Sequence, residues 1–132
     1  MKKIIGYVLL ILVSLFLFSN NLNYDSFPSE KDYISRNSKE KRINLVFYKK
    51  GCRYCEASKD EIIEEAKNSN IVTYFIDAGK EEGIVIAKKY HVKYASMIVA
   101  IRNNDYKSFL YAYDRNKKIV IEKEKITEVF KD

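Results

Sequence analysis

Two cysteines three residues apart stand where a strand-like run gives way to a helix-like one. Ile43-Asn44-Leu45-Val46-Phe47-Tyr48 has the β-branched and aromatic character of a short strand. Lys49-Lys50-Gly51 breaks it, and Cys52-Arg53-Tyr54-Cys55 follows. Ala57, Ile62, Ile63 and Ala66 then recur at helical spacing, with Glu56, Lys59, Asp60, Glu64 and Glu65 at the other positions. Residues i and i+3 share one face of a helix, so the two sulfurs can meet. Cys52 falls at the helix N-terminus, where free N–H groups and the positive end of the dipole stabilise a thiolate. Lys49, Lys50 and Arg53 add positive charge there, and Glu56 opposes it weakly. Cys55 lies one turn inside and is expected to be the more buried. That asymmetry suits thiol–disulfide exchange, in which Cys52 attacks or is attacked and Cys55 resolves the mixed disulfide. Three blander readings compete: a structural disulfide, which would close a tiny loop and add little stability; half of an intermolecular metal site; and two unrelated buried thiols.

Composition narrows the rest. With 132 residues the chain has room for one domain. Two cysteines exclude a disulfide-dense mini-protein and a self-contained four-cysteine zinc site. One histidine leaves little room for a His-based metal centre or a Cys-His-Asn protease, and His91 reads as a surface or helix-end residue. No GxxxxGK[ST] or GxGxxG loop is present to cradle phosphate. The net charge of +6 falls to +4 once Lys2 and Lys3 are set aside, and the remaining charges are interspersed. A solvated lysine-rich surface explains that balance, and no nucleic-acid partner is expected. The abundance of Lys, Asn, Ile and Tyr is that of a protein from an AT-rich bacterial genome.

Lys2 and Lys3 precede an apolar run of 15 residues from Ile4 to Phe18, broken only by Gly6 and Ser14. As a helix it would span about 22 Å, against a hydrocarbon core of ~30 Å. The run suits a signal-peptide core or a short anchor. No small-residue cleavage site follows Phe18, which favours an uncleaved anchor over a cleaved signal. Lys2 and Lys3 are then expected on the cytoplasmic side, the membrane is engaged through residues 4–18, and the remainder lies outside the cytoplasm.

The chain divides into residues 1–22, the anchor or signal segment; 23–42, a polar linker with a possible short helix from about 29 to 37; and 43–132, the folded domain. Ile71–Ile76 reads as a second strand buried on both faces, and a helix through Ile84, Ala87 and Tyr90 spans about 81–90. Met97–Ile101 is a third strand, paired as a hairpin with Phe109–Tyr113 across Arg102-Asn103-Asn104-Asp105. Ile119-Val120-Ile121 is a short extra strand, and a last helix covers 123–131. The order β-α-β-α-β-β-α gives an α/β fold: a βαβ unit with a right-handed crossover, then a ββα unit, around one central mixed sheet.

The CxxC pair between a strand and a helix within this order resembles the thioredoxin superfamily, over about four-fifths of the chain from Ser26 onward. Asn44-Leu45-Val46-Phe47-Tyr48 is similar to the family's active-site strand, and Ile76-Asp77 to the end of the next. Tyr90-His91-Val92-Lys93-Tyr94-Ala95-Ser96-Met97-Ile98-Val99 resembles the segment that ends in a cis-proline before a strand. The Arg-Tyr between the cysteines differs from the Gly-Pro of thioredoxin proper, and its tyrosine resembles that of the Pro-Tyr in glutaredoxins. There is a fainter similarity to accessory thiol proteins of Gram-positive bacteriocin or conjugation systems. The resemblance implies attack by Cys52, and a substrate groove formed by Tyr54, Ala95 and Ser96. Two departures stand out. The cis-proline position holds Ser96, which leaves the isomer of the preceding peptide open. The family's buried acid, six residues before the first cysteine, is Val46, so no carboxylate reaches Cys55 from that strand, and Glu56 is expected to point elsewhere on the helix.

The expected protein is a membrane-tethered extracytoplasmic thiol–disulfide oxidoreductase that acts on cysteines of exported proteins. It would exchange electrons with an upstream redox partner. No cofactor beyond the Cys52–Cys55 disulfide is needed, and no resident metal is expected. Its rivals are a redox-inactive thioredoxin-like adaptor of a secretion, bacteriocin or conjugation system, and a metal carrier, which Ser96 suggests because the proline ring that shields the sulfurs in the family is missing.

Overall fold

The computed structural model describes residues 2–19, 22–37 and 39–131; Asn20 and Asn21, in the stretch on which N-terminal processing turns, lie outside the described residues. Helix α1 (Lys2–Ser19) forms over the apolar run, and its described side chains from Ile4 to Val13 are exposed. Its 18 residues reach about 27 Å at ~1.5 Å each, short of a ~30 Å core. Among the described residues no helix is long and apolar enough to cross a membrane.

Four strands, β1 (Arg42–Tyr48), β2 (Val72–Asp77), β3 (Met97–Arg102) and β4 (Asp105–Leu110), form one sheet in the order β2-β1-β3-β4. β1 and β2 are parallel, β3 is antiparallel to β1, and β4 is antiparallel to β3. The run of β1 is apolar on both faces but for Asn44, because both faces of the sheet are covered. Ile43, Leu45 and Phe47 join Tyr74, Ile76, Ile86 and Val99 in one core. Val46 and Tyr48 join Ile62, Phe75, Ile98, Ile126 and Phe130 in the other. Burying each large β1 side chain contributes roughly 1.5–3 kcal/mol. Helices α3 (Arg53–Lys67) and α5 (Lys123–Lys131) supply the second core, while α2 (Glu30–Ile34) and α4 (Glu81–Lys89) cover the first. The one polar residue inside β1, Asn44, is satisfied: its Nδ2 donates to the Val129 carbonyl at 3.0 Å and its Oδ1 accepts from Arg102 at 3.0 Å. α4 approaches β2 so closely that a Cβ on Gly83 would lie 1.8 Å from the Asp77 carbonyl oxygen.

Residues 23–42 do more than connect. A 3₁₀ turn at Tyr24–Ser26 and the short α2 bury Tyr24, Glu30 and Tyr33 against the sheet. Phe75 N–H donates to the Pro28 carbonyl at 2.8 Å, adding a single rung at the β2 edge. Glu30, 1% exposed, accepts from the Asp77 N–H at 3.2 Å and faces the Lys80 ammonium at 3.6 Å. α2 is shorter than the expected 29–37 because the chain closes on itself at once. The Lys31 carbonyl accepts both the N–H and the Oγ of Ser35, and the Tyr33 carbonyl both the N–H and the guanidinium of Arg36, which closes the helix end.

The expected hairpin partner of β3, Phe109–Tyr113, is displaced. β4 begins at Asp105 and ends at Leu110, and its first four residues are exposed and show no apolar pattern. Tyr111 then leaves the sheet. It is fully buried, its hydroxyl donates to the Phe47 carbonyl at 2.7 Å, and its N–H donates to the Ser96 carbonyl at 2.9 Å. Beyond it, β5 (Ala112–Arg115) and β6 (Lys118–Ile121) form a separate two-stranded sheet. Asn116 and Lys117 both have positive φ, as a tight two-residue hairpin turn of this hand requires.

Candidate functional site

Gly51 holds φ at +81°, which lets β1 turn sharply into α3 and sets Cys52 at the helix N-cap. Cys52 and Cys55 form a disulfide, with Cα atoms 5.3 Å apart. Cys52 Sγ accepts the Cys55 N–H at 3.2 Å, and the Cys52 carbonyl accepts the Glu56 N–H at 3.1 Å. Here a sulfur takes the place of the usual oxygen cap, an arrangement that favours the thiolate when the bond opens. The two cysteines differ in burial as expected: Cys52 is half-buried and Cys55 is 1% exposed.

A groove of about 570 Å³ opens beside Cys52, and Arg53, Tyr54, Ala95, Ser96, Tyr113 and Asp114 help to line it. The expected groove residues Tyr54, Ala95 and Ser96 thus meet at Cys52. Tyr94 also borders the groove and is 61% exposed. Ser96 is 4% exposed, its hydroxyl donates to the Ala112 carbonyl at 3.0 Å, and no described peptide bond is cis, so the one before Ser96 is trans. The serine hydroxyl is engaged with backbone and braces the loop against β5.

The charges around Cys52 are arranged differently from a simple positive cluster. Arg53 donates to Asp114 Oδ2 at 2.5 Å, and Tyr54 donates to the same oxygen at 2.6 Å. The Tyr54 hydroxyl, and then the Asp114 carboxylate, hold the exposed Arg53 guanidinium above its ordinary pKa. Asp114 draws on the charge that Arg53 was expected to offer the thiolate. Lys49 and Lys50 are exposed and line a different cavity, on the side of Cys55. His91 is exposed at the end of α4 with φ at +55°. Among the described residues, no group of three or more His, Cys, Asp or Glu could hold a metal ion.

Two residues of this neighbourhood escape a sequence reading. Asp114 is 60 residues from Tyr54 and looks like loop chemistry. Tyr24 sits in a polar stretch, yet its hydroxyl donates to the Cys55 carbonyl at 2.7 Å and its ring lies 5.0 Å from that of Tyr48. Burial pushes the Tyr24 phenol well above its usual range. Glu56 is exposed, its carboxylate pairs with Lys59 at 3.3 Å, and the residue borders the same cavity as Cys55.

A four-stranded β2-β1-β3-β4 sheet, two helices on each face and a CxxC pair at the first turn of α3 decide the fold. It is thioredoxin-like. No family model matches the chain, and no curated protein matches it in sequence. Solved structures do resemble it. Deadhead, the germline-specific thioredoxin of Drosophila melanogaster, is 27% identical, with 63% of this chain and 82% of that one covered at a TM-score of 0.52. Thioredoxin O2 of Arabidopsis thaliana in its oxidised state is 16% identical over 64% of this chain and 82% of that one, at 0.54. A Schistosoma mansoni thioredoxin is 16% identical over 79% and 89%, at 0.55. A thioredoxin-like fold with a disulfide between Cys52 and Cys55 supports thiol–disulfide oxidoreductase activity.

Proposed function

We propose that this chain is a membrane-tethered thiol–disulfide oxidoreductase that works outside the bacterial cytoplasm on cysteines of exported proteins. The observation that carries the exchange chemistry is a half-buried sulfur, Cys52, at a helix N-terminus beside an open groove, with a buried partner sulfur behind it. The dithiol itself carries the two electrons, so an upstream redox protein is its recharging partner and no organic cofactor is required. Tethering is supported by α1: an apolar helix with exposed side chains from Ile4 to Val13 has no place in water and suits lipid. Lys2 and Lys3 before it favour retention of that end in the cytoplasm. At about 27 Å the helix would need a locally thinned bilayer or added flanking residues.

Trapping tests the exchange reading. Cells producing the Cys55→Ala variant are expected to accumulate mixed disulfides on Cys52 that reductant releases, and Cys52→Ala cells few. Full exchange-independent function after Cys52→Ser would instead point to the adaptor. Fractionation tests the tether: full-length protein is expected in membranes, and a released product starting near residue 20–24 would mean a cleaved signal.

A further inference from the structure

Very little chain joins α1 to the folded domain. α1 ends at Ser19, and Leu22 is already half-buried against the core that holds Tyr24, Tyr48 and Cys55. Only Asn20 and Asn21 lie between, and the three residue steps from Ser19 to Leu22 reach at most about 11 Å by any path. Tyr24 follows at once. Its hydroxyl donates to the Cys55 carbonyl at 2.7 Å, and its ring lies 5.0 Å from that of Tyr48, the last residue of β1. The chain from α1 therefore enters the domain at the end that carries the two sulfurs. We infer that this end is held at the outer face of the membrane, and that the partner it fits is a cysteine or disulfide carried close to the bilayer by another membrane-anchored chain. The inference rests on the tether and exchange readings above and narrows the exported proteins they name to membrane-bound ones.

The sheet sets the scale. β1 runs from Arg42 to Tyr48, about 20 Å at ~3.3 Å per residue, and Cys52 follows its C-terminal end. Arg42 pairs with Arg102, so the β3–β4 turn at Asn103 and Asn104 lies at the opposite end of the strands. From Ser19 to Tyr24 is five residue steps, at most about 18 Å, and one tyrosine side chain completes the path to Cys55. A tether of many residues would let either end of the sheet approach the bilayer; this one favours the sulfur end. The rim agrees in charge. Lys49 and Lys50 are exposed and share a cavity with Asn23, Tyr24 and Asp25 of the entering chain. Lys59 and Glu56 on the same cavity pair with each other at 3.3 Å, which sets two lysines against Asp25. That balance suits an anionic headgroup surface, to which basic residues beside a membrane segment are drawn. The groove opens on the other side of the cysteine pair, bordered by the exposed Tyr94. Headgroups against the entering chain thus leave Cys52 open to a partner standing beside it in the same membrane.

The test uses the full chain reconstituted in vesicles of phosphatidylcholine and anionic phosphatidylglycerol. A donor dye on Cys52 of the Cys55→Ala variant should transfer energy to acceptor dyes on the lipid headgroups. The comparison is a donor on Asn104→Cys in a chain whose own two cysteines are replaced by alanine. Transfer from Cys52 is expected to be at least about twice as efficient, given roughly 20 Å of strand between the two sites. Equal or lower transfer from Cys52 overturns the inference. Exchange gives the second readout, with a disulfide of a coloured aromatic thiol carried on a lipid headgroup by a short spacer, and the same disulfide free in solution. Inserting about thirty Gly and Ser residues between Asn20 and Asn21 should lower the ratio of lipid-borne to soluble reduction at least about fivefold, because a longer tether dilutes the site at the surface. A ratio within about twofold of wild type also overturns the inference. Failure of the chain to float with the vesicles would overturn the tether reading, and failure to reduce even the soluble disulfide would overturn the exchange reading; either takes this inference with it.

Discussion

On the groove side of the disulfide, Cys52 meets aromatic rings, a paired Arg53–Asp114 and the Ser96 loop; on the other side, Cys55 meets Tyr24 and a small charged cavity. One turn of α3 separates these surroundings. The groove is built by segments far downstream, the Tyr94–Ser96 loop and the β5–β6 sheet. The rear wall is built by residues 23–25, just after the apolar helix. The same helix turn thus presents the Cys52 sulfur at the groove and ties the Cys55 carbonyl, through Tyr24, to the segment that leads back to α1. The groove and the rear wall come from different parts of the chain, so substitutions on the two sides should have separable effects.

The largest difference between the sides should come from the sulfurs. Cys52→Ser is expected to abolish turnover of a disulfide substrate, by more than about a hundredfold, while Cys55→Ser should leave the first attack intact and stall at the mixed disulfide. Quantifying both thiol releases checks this, and equal loss of the first step in both variants would erase the distinction.

Tyr111 lies beneath both regions, so it should affect stability more than chemistry. Tyr111→Ala is expected to cost about 4 kcal/mol, through a cavity where a ring is fully buried. Tyr111→Phe should cost about 1 kcal/mol, for the lost bond to the Phe47 carbonyl. Burial raises the Tyr111 phenol well above its usual range. Its contribution is therefore complete below the unfolded value of about 10 and is lost as pH climbs toward the folded one. Chemical denaturation at pH 7 and above pH 10 should show a flatter alkaline decline in Tyr111→Phe than in wild type.

Much of this was legible beforehand and some could not have been. β1, β2 and β3 are covered on both faces, so their runs are mainly apolar with no strict alternation, and Gly51 before Cys52 marks the turn. The apolar pattern places β4 too late because residues 105–108 are exposed and carry no alternating apolar signal, whereas Tyr111, within the apolar run that follows, plugs the core instead of pairing. Tyr24 and Asp114 were invisible as site residues. Each acts across more than thirty residues of chain, and nothing in spacing reports such contacts. Lys49, Lys50 and Arg53 read alike as charges, but only the fold sends the lysines to one side and pairs the arginine on the other.

Smaller effects sharpen the groove side. Ser96→Ala removes a buried hydroxyl bond to Ala112 and should destabilise by about 1 kcal/mol, with exchange largely retained; thermal unfolding measures it. Asp114→Asn removes the carboxylate that pairs with Arg53, which keeps its bond to Tyr54 beside Cys52. Cys52 of the reduced chain should then alkylate at neutral pH no more than about threefold faster, because exposed pairs are worth little. A slower rate would mean that Asp114 does not draw on the positive charge near Cys52.

The central claim is that the Cys52–Cys55 disulfide is a working redox couple and not a staple. Its reduction potential, measured by equilibration with a glutathione buffer, tests that directly. A reversible two-electron couple is expected between about −270 mV, the value for a reductase, and about −120 mV, that for a strong oxidant. A potential below about −300 mV, in the range of structural disulfides, would contradict it.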